Sequence, residues 1–379
     1  MSTYGPGSTI GILGGGQLGR MSILAGRRLG YRFVVMDPVP GGPASMVADE
    51  EINASYKDLE AVRRFAERVD VVTLEFENIP ADTVSEIETV CPVRPGWEVL
   101  HTCQNRLREK TFLRDNDFPC VPFAVIRSLE DLRDAVEEIG LPAVLKTADF
   151  GYDGKGQVKI NEGDDLEMIW NGFSGSTAIL EKWIQFIGEY SVICARRPDG
   201  ETAVFPPSFN VHRNHILHSS QVPSGLSPEL ENAARSLALD IAAELEVIGL
   251  IAVELFLTAS GWMVNEMAPR PHNSGHYSFD ACLTSQFEQH IRAVCGLPLG
   301  DPKLLSPVVM VNLLGDLWHE DGKRLNWSAV LKNPNAKLHL YGKQNARPGR
   351  KMGHYCVLAD SEEAAESEAE AIFAKLKQG

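Results

Sequence analysis

The chain has 379 residues, 44% of them hydrophobic and 23% charged, with a formal net charge of -15. That length and composition imply two or three ordinary soluble domains. The acidity excludes a general nucleic-acid or membrane surface, so any anionic substrate must meet local positive charge. The seven cysteines are scattered without a CxxC pair, which indicates neither a zinc site nor a disulfide framework. A reducing cytoplasm is the expectation. Residues 1–8 lack the basic and apolar regions of a signal peptide, and no apolar run is long enough for a bilayer.

In chain order, Thr9–Leu13 is a short strand, followed by a glycine loop and a helix predicted over Met21–Leu29. Phe33–Met36 is a second strand, ending at Asp37. Gly14, Gly16 and Gly19 match the G-x-G-x-x-G fingerprint, with Asp37 where a ribose-binding acid would stand. The glycines allow close approach and the helix start offers N–H groups to an anion, but they do not name the ligand. Val69–Leu74 is a further strand. It ends in an acidic cluster, Glu75, Phe76, Glu77 and Asn78, readable as a ligand contact at a sheet's end or as a solvated loop. Pro and Gly in Cys91–Gly96 mark an approaching domain boundary.

Asn105–Asp115 reads as a basic amphipathic helix with a solvated charged face. Phe118–Ile126 is extended, and Leu129–Gly140 is helical. Ala143–Leu145 then delivers Lys146 at a strand end. The loop that follows contains Gly151, Tyr152, Asp153, Gly154, Lys155, Gly156 and Gln157. Its glycines suit a backbone folded over phosphates, although an ordinary hairpin has the same composition. Walker A is excluded, since no GK[ST] opens a helix. Strands follow at Ala178–Glu181 and from Glu189, with strand and loop over Val204–His218, including His212. Pro228–Glu246 is a long helix.

Val253–Leu257 and Trp262–Met267 form a hairpin. Glu254 stands in an apolar run and Glu266 closes the second strand. Buried carboxylates must be paired or bind metal. Two of them on adjacent strands, beside Asn265, suit a hard cation such as magnesium; pairing with a cation such as Arg270 is the alternative. Phe279–Cys295 is predicted as one helix. A third region starts near Pro307, with a strand over Pro334–Tyr341. Lys343, Arg347, Arg350 and Lys351 then place four cations within nine residues, suiting either a bound phosphate or a basic surface turn. Ser361–Lys377 is a terminal helix.

GGGQLGRM, LEFENI, LKTADFGYDGKGQ, NEMAPRPHNSGH and RPGRKMGH occur in that order. Together they resemble the N5-carboxyaminoimidazole ribonucleotide synthetase family of ATP-grasp enzymes over essentially the whole chain. The resemblance implies an α/β and α+β architecture: a Rossmann-like N-terminal domain over 1–104, an ATP-grasp domain over 105–304 with lobes divided near 180, and a small domain over 305–379. It implies carboxylation of 5-aminoimidazole ribonucleotide with ATP, bicarbonate and magnesium, two ions being expected, in a homodimer.

By the same resemblance, Arg106 and Lys146 contact ATP phosphates and the 151–157 loop covers them. Glu181, Lys182, Trp183 and Ile184 form a hinge whose backbone meets adenine. Glu189 takes the ribose, His212 completes the nucleotide site, and Glu254 and Glu266 bind magnesium with Asn265 nearby. Gln17, Leu18 and Glu75 hold the ribonucleotide, while Lys343, Arg350 and Lys351 grip its phosphate. Asp153 holds or deprotonates the amine. Arg270 stabilises carboxyphosphate, with Asn273 and Ser274 beside it. A formate-dependent transformylase with a similar layout usually carries Asp where this chain has Asn273. A dehydrogenase based on the glycine fingerprint and a non-catalytic ATP-binding module are the competing readings.

Overall fold

The computed structural model describes residues 2–149, 156–173, 177–318 and 325–377. The first unit is a parallel sheet of four strands. In spatial order they are Glu50–Ile52, Arg32–Met36, Thr9–Leu13 and Val71–Leu74. The chain turns to opposite sides of Thr9–Leu13 for its next two neighbours. The loop after Leu13 therefore sits at a topological switch point, where open α/β sheets receive ligands. Three of these strands are largely buried on both faces, which is why they read as short continuous apolar runs, whereas Glu50–Ile52 at the edge is half-buried.

The helix after the glycine loop runs Gln17–Arg27, four residues earlier than predicted. Its Gly19 lies inside the first turns, where Glu75 crowds close. The predicted Phe279–Cys295 helix is two pieces, Ser278–Ala281 and Gln286–Cys295. Ser285 caps the second by accepting from Glu288 N–H, a local signal that ends one helix and starts the next. That second helix supplies Ile291, Val294 and Cys295 to the core of the N-terminal sheet. Thr73 Oγ1 meets His290 Nε2 at 2.8 Å across the same seam.

A small antiparallel sheet orders Phe123–Ile126, Ala178–Lys182, Ala143–Thr147 and Gln157–Ile160. The third sheet has nine strands. It begins with the hairpin Gly261–Ala268 and Gly249–Thr258, and continues through Gly188–Arg196, Ser208–Arg213 and Ile216–Val222. Val308–Leu314, Lys351–Leu358 and Ala336–Leu340 then extend the same ladder. The C-terminal strands thus add to the central sheet and bring Lys351 alongside it.

A side-chain clamp fastens this extension. Asn273 Nδ2 donates to Asn312 Oδ1 at 3.0 Å, and Asn312 Nδ2 donates to Asn273 Oδ1 at 2.7 Å and to Leu217 O at 2.8 Å. Both amides are buried. Replacing Asn312 with Leu leaves the Asn273 amide and the Leu217 carbonyl without these partners. The expected cost is about 1–3 kcal/mol of stability. A denaturant titration with an unchanged midpoint would show that the clamp contributes nothing.

Candidate active site between the sheets

The glycine loop holds a carboxylate of its own chain. Gly16 N–H and Gly19 N–H both donate to Glu75, the second at 2.9 Å. Gly15 N–H donates to Asp37 Oδ2 at 2.7 Å. A Cβ at Gly14 would stand 2.3 Å from Glu75 Cγ, so this close approach excludes any side chain. Burial raises the Glu75 carboxyl, and the nearby Asp37 adds to this, while the two glycine amides and Lys343 oppose it. Asp37 is thus engaged by the loop, with Val39 N–H on its other oxygen at 2.7 Å.

The second cluster is built around Glu181, 3% exposed. Lys146 Nζ donates to its Oε2 at 2.5 Å, and Lys110 Nζ lies 3.7 Å from Oε1. Burial alone would raise the Glu181 carboxyl; Lys110, Lys146 and Arg106 outweigh it and hold it at about 2. Lys110 and Glu109 are both buried, against the expectation of a solvated helix face. They grip the neighbouring edge strand. Lys110 Nζ donates to Val264 O at 3.3 Å and Asn265 O at 2.7 Å, and Glu109 Oε1 accepts from Met267 N–H at 3.0 Å.

The gripped segment is a β-bulge. Glu254 pairs with Glu266, yet the next residue, Leu255, pairs with Val264. Asn265 is the extra residue, and a bulge re-aims side chains. Val264 and Met267 stay buried while Asn265 and Glu266 are both partly open. Glu266 Oε2 lies 3.4 Å from Arg106 Nη1. Directly across the ladder, Glu254 Oε1 meets His272 Nε2 at 3.0 Å. His272 Nδ1 lies 2.9 Å from Ser274 Oγ and accepts from Ser274 N–H at 3.4 Å, an orientation that turns Nε2 toward Glu254. Burial opposes the charge on Glu254, but His272, His212 and Lys351 prevail and hold it at about 2. His212 Nδ1 contacts Glu189 Oε2, and this partner raises the His212 pKa against burial.

Arg270 joins the two clusters. Its Nε lies 2.8 Å from Glu77 Oε1 on the N-terminal unit. Burial disfavours its charge, but Glu77, Glu266 and Glu75 keep it protonated. In the basic turn, Lys343 Nζ donates to Lys351 O at 2.8 Å and acts electrostatically on Glu75. Lys351 acts on Glu254 and His212.

Three family models tile the chain: a ribonucleotide synthetase preATP-grasp domain over residues 8–104, an ATP-grasp domain over 111–287, and a phosphoribosylaminoimidazole carboxylase C-terminal domain over 308–368. The N5-carboxyaminoimidazole ribonucleotide synthase of Bacillus subtilis is 46% identical over 362 residues, covering 94% of this chain and 93% of that protein. The chain belongs to the N5-carboxyaminoimidazole ribonucleotide synthase family. It is an ATP-grasp ligase of purine biosynthesis. A solved ADP complex of an N5-carboxyaminoimidazole ribonucleotide synthetase superposes with a TM-score of 0.92 at 45% identity, covering 98% of each chain. The Aspergillus clavatus N5-carboxyaminoimidazole synthase in complex with ADP and 5-aminoimidazole ribonucleotide gives 0.89 at 31%, covering 98% of this chain and 99% of that one.

Within this synthase-family site, several expectations change. Gly151, Tyr152, Asp153, Gly154 and Lys155 lie outside the described residues. Gly156 and Gln157 are described: Gly156 O accepts from Thr147 N–H at 2.9 Å, and Gln157 pairs with Lys146. Glu181 acts through its side chain rather than only through hinge backbone. The Lys182 and Trp183 amides are already spent on Pro122 O at 3.0 Å and Pro142 O at 3.1 Å. Asn273 and Ser274 are 6% and 0% exposed, and Asn273 exchanges amide hydrogen bonds with Asn312. Arg350 donates to Asn345 O of its own turn at 2.7 Å, while Lys343 donates to Lys351 O and acts electrostatically on Glu75. The Gly16 and Gly19 amides of the glycine loop both donate to Glu75. Gln17 and Leu18 stand in the first turn beside it, Leu18 packing against Tyr341 of the C-terminal unit.

Glu77 belongs to the acidic cluster already legible in the sequence, whereas Glu109, Lys110 and His272 carry no such signal as site residues. What marks Glu109 and Lys110 is a charged pair in a helix whose partner strand has an uncovered edge. Burial and the neighbouring Glu266 push the Glu109 carboxyl up to about 8, against Lys110 and Arg106. Its stabilising contribution is therefore complete below the unfolded carboxyl pKa and is lost as pH rises through about 8. Glu109→Gln keeps the acceptor for Met267 N–H and removes the titration. In metal-free buffer the Tm of the parent should fall relative to the variant as pH rises from about 4.5 to about 8. A constant difference across that range would count against a protonated Glu109.

Proposed function

We infer that one cleft, bounded by the small sheet, the Glu254–Glu266 hairpin and the glycine loop, takes ATP, bicarbonate and 5-aminoimidazole ribonucleotide together. The observation that carries this reading is the cross-strand pair Glu254 and Glu266, with Arg270 linking it to Glu77 and Glu75. The domains divide near 104/105 and 304/305, the third building onto the sheet of the second. All seven cysteines are free, in keeping with a cytoplasmic enzyme, and a homodimer is the expected assembly.

Magnesium fits the hairpin. Among the described residues no group of three or more His, Cys, Asp or Glu is arranged for a metal. Two carboxylates nevertheless suffice for a magnesium ion whose other ligands are water and phosphate. Glu254 and Glu266 would hold it, with Asn265 alongside. Bound there, the metal supplies charge neutralisation on the phosphates.

Arg106 and Lys146 meet the ATP phosphates, and the 151–157 loop covers them. A bicarbonate oxygen attacks the γ-phosphorus, the bond to ADP breaks, and carboxyphosphate forms. Arg270 holds that anion. The exocyclic nitrogen of the ribonucleotide then attacks the carboxyl carbon. Phosphate leaves and the nitrogen loses a proton, for which Asp153 is the candidate acceptor. Excluding water matters because carboxyphosphate hydrolyses readily. Lys343 and Lys351 hold the 5′-phosphate, with Arg350 at the turn's outer end. Glu75, presented by the glycine loop, accepts from ribose hydroxyls.

Glu266→Gln should fold normally and lose ATP turnover, because a neutral amide is a poor ligand for a hard cation. ADP release by that variant near the parental rate at ordinary magnesium would sink the metal assignment. Lys343→Ala should raise the KM for the ribonucleotide about tenfold to a hundredfold, with the KM for ATP nearly unchanged. The opposite pattern would move the phosphate pocket elsewhere. Substituting formate for bicarbonate in the ADP-release assay should abolish ribonucleotide-dependent turnover.

A further inference from the structure

The hinge strand leaves its sheet between two prolines. Ala178–Lys182 lies between Phe123–Ile126 and Ala143–Thr147, and both ladders run one residue past the named strands. Lys182 N–H donates to Pro122 O at 3.0 Å, and Trp183 N–H donates to Pro142 O at 3.1 Å. A hydrogen-bonded antiparallel pair normally exchanges two bonds. Here the return bond cannot form, because proline has no N–H. A strand residue points its N–H and C=O toward the same neighbour. The Lys182 and Trp183 carbonyls therefore face partners that cannot donate. All four residues are exposed where the chain crosses between lobes, and proline leaves neither carbonyl its ladder donor.

The two carbonyls lie on opposite edges of the strand. The Lys182 edge adjoins the segment before Pro122, where Pro119 O accepts from Val264 N–H at 2.7 Å. It thus faces the strand that carries Asn265 and Glu266. The Trp183 edge leads away, toward Gln157–Ile160. The strand ends at Lys182, and where the chain stays extended past it, residues two apart share an edge, so the Ile184 amide is the next donor on the Lys182 side. An acceptor followed by a donor matches a 6-aminopurine, whose exocyclic amine donates and whose N1 accepts. A 6-oxopurine reverses both groups.

We propose that Pro122 sets the base specificity of the nucleotide site, by withholding the amide that would otherwise close the Lys182 carbonyl. This rests on the reading of the hinge as the adenine site. Pro122→Ala supplies an N–H to a pair already held at bonding distance, and the carbonyl is then shared with the protein. Pro142→Ala does the same on the opposite edge and serves as the control.

The test is ADP release with ATP or ITP, at saturating bicarbonate and ribonucleotide, for the parent and both variants. The parent should favour ATP over ITP at least tenfold in kcat/KM. Pro122→Ala should raise the KM for ATP about tenfold and collapse that preference, with the KM for the ribonucleotide and the Tm unchanged. Pro142→Ala should behave as the parent. The proposal is overturned if the parent uses ITP as well as ATP, a result that needs no variant to fold. It is equally overturned if Pro122→Ala keeps the parental KM for ATP, if that variant loses Tm or ribonucleotide affinity in parallel, or if Pro142→Ala carries the effect. A parent without ATP turnover overturns the functional reading as well. Normal turnover with an indifferent Pro122→Ala overturns this inference alone.

Discussion

The arrangement of this active site depends on one buried carboxylate. Glu181 is held between Lys110 and Lys146, and each lysine has a second task. Lys146 stands next to the end of the strand Ala143–Thr147 and pairs with Gln157 across the ladder. Lys110 reaches the carbonyls of Val264 and Asn265 and so fixes the bulge that turns Glu266 toward the cleft. Lys146 and Glu266, side chains on different sheets, are thereby positioned by the same charge. Buried ion pairs seldom add much net stability, but removing one partner strands the others in a poorly solvated place. The network is better understood as a device for placing groups than as a source of stability.

A comparable economy appears at the glycine loop. Its fingerprint is that of a dinucleotide fold, and its sheet has the corresponding switch point. The amides that would cradle a pyrophosphate are nevertheless turned to Glu75 and Asp37. The fold is shared with dehydrogenases while the site is not, because function follows which groups remain available to a ligand. Here the loop presents a carboxylate, and positive charge arrives from the C-terminal unit through Lys343. The continuous nine-stranded sheet and the Asn273–Asn312 clamp make that delivery possible.

The same logic governs the hinge. Local backbone chemistry decides which hydrogen-bonding groups are spent within the protein and which face the cleft. Prolines beside Lys182 and Trp183 take a proton-donor bond and return none. Such a position does not advertise itself as a site, since it contributes no charge and no reactive side chain.

Much was determined by the sequence alone. Element type follows from periodicity and from glycine and proline punctuation, both local properties. The ordered motifs were enough to indicate the family and its chemistry. Even the bulge left a trace, since the buried positions slip phase from Val264 to Met267. Lys351–Leu358 does not read as a strand in the sequence, because it opens on a cation and its remaining residues, largely buried on both faces, lack alternation. The tertiary structure alone decided the pairings: Arg270 with Glu77, Glu254 with His272, and Glu109 and Lys110 with a distant strand edge. These partners lie far apart in the chain, and the burial that gives a charge its importance arises only when the sheets close around it. The fate of Asn273 and of the glycine-loop amides was settled in the same way. A polar group's role depends on which neighbour satisfies it first, and that neighbour is chosen by the fold.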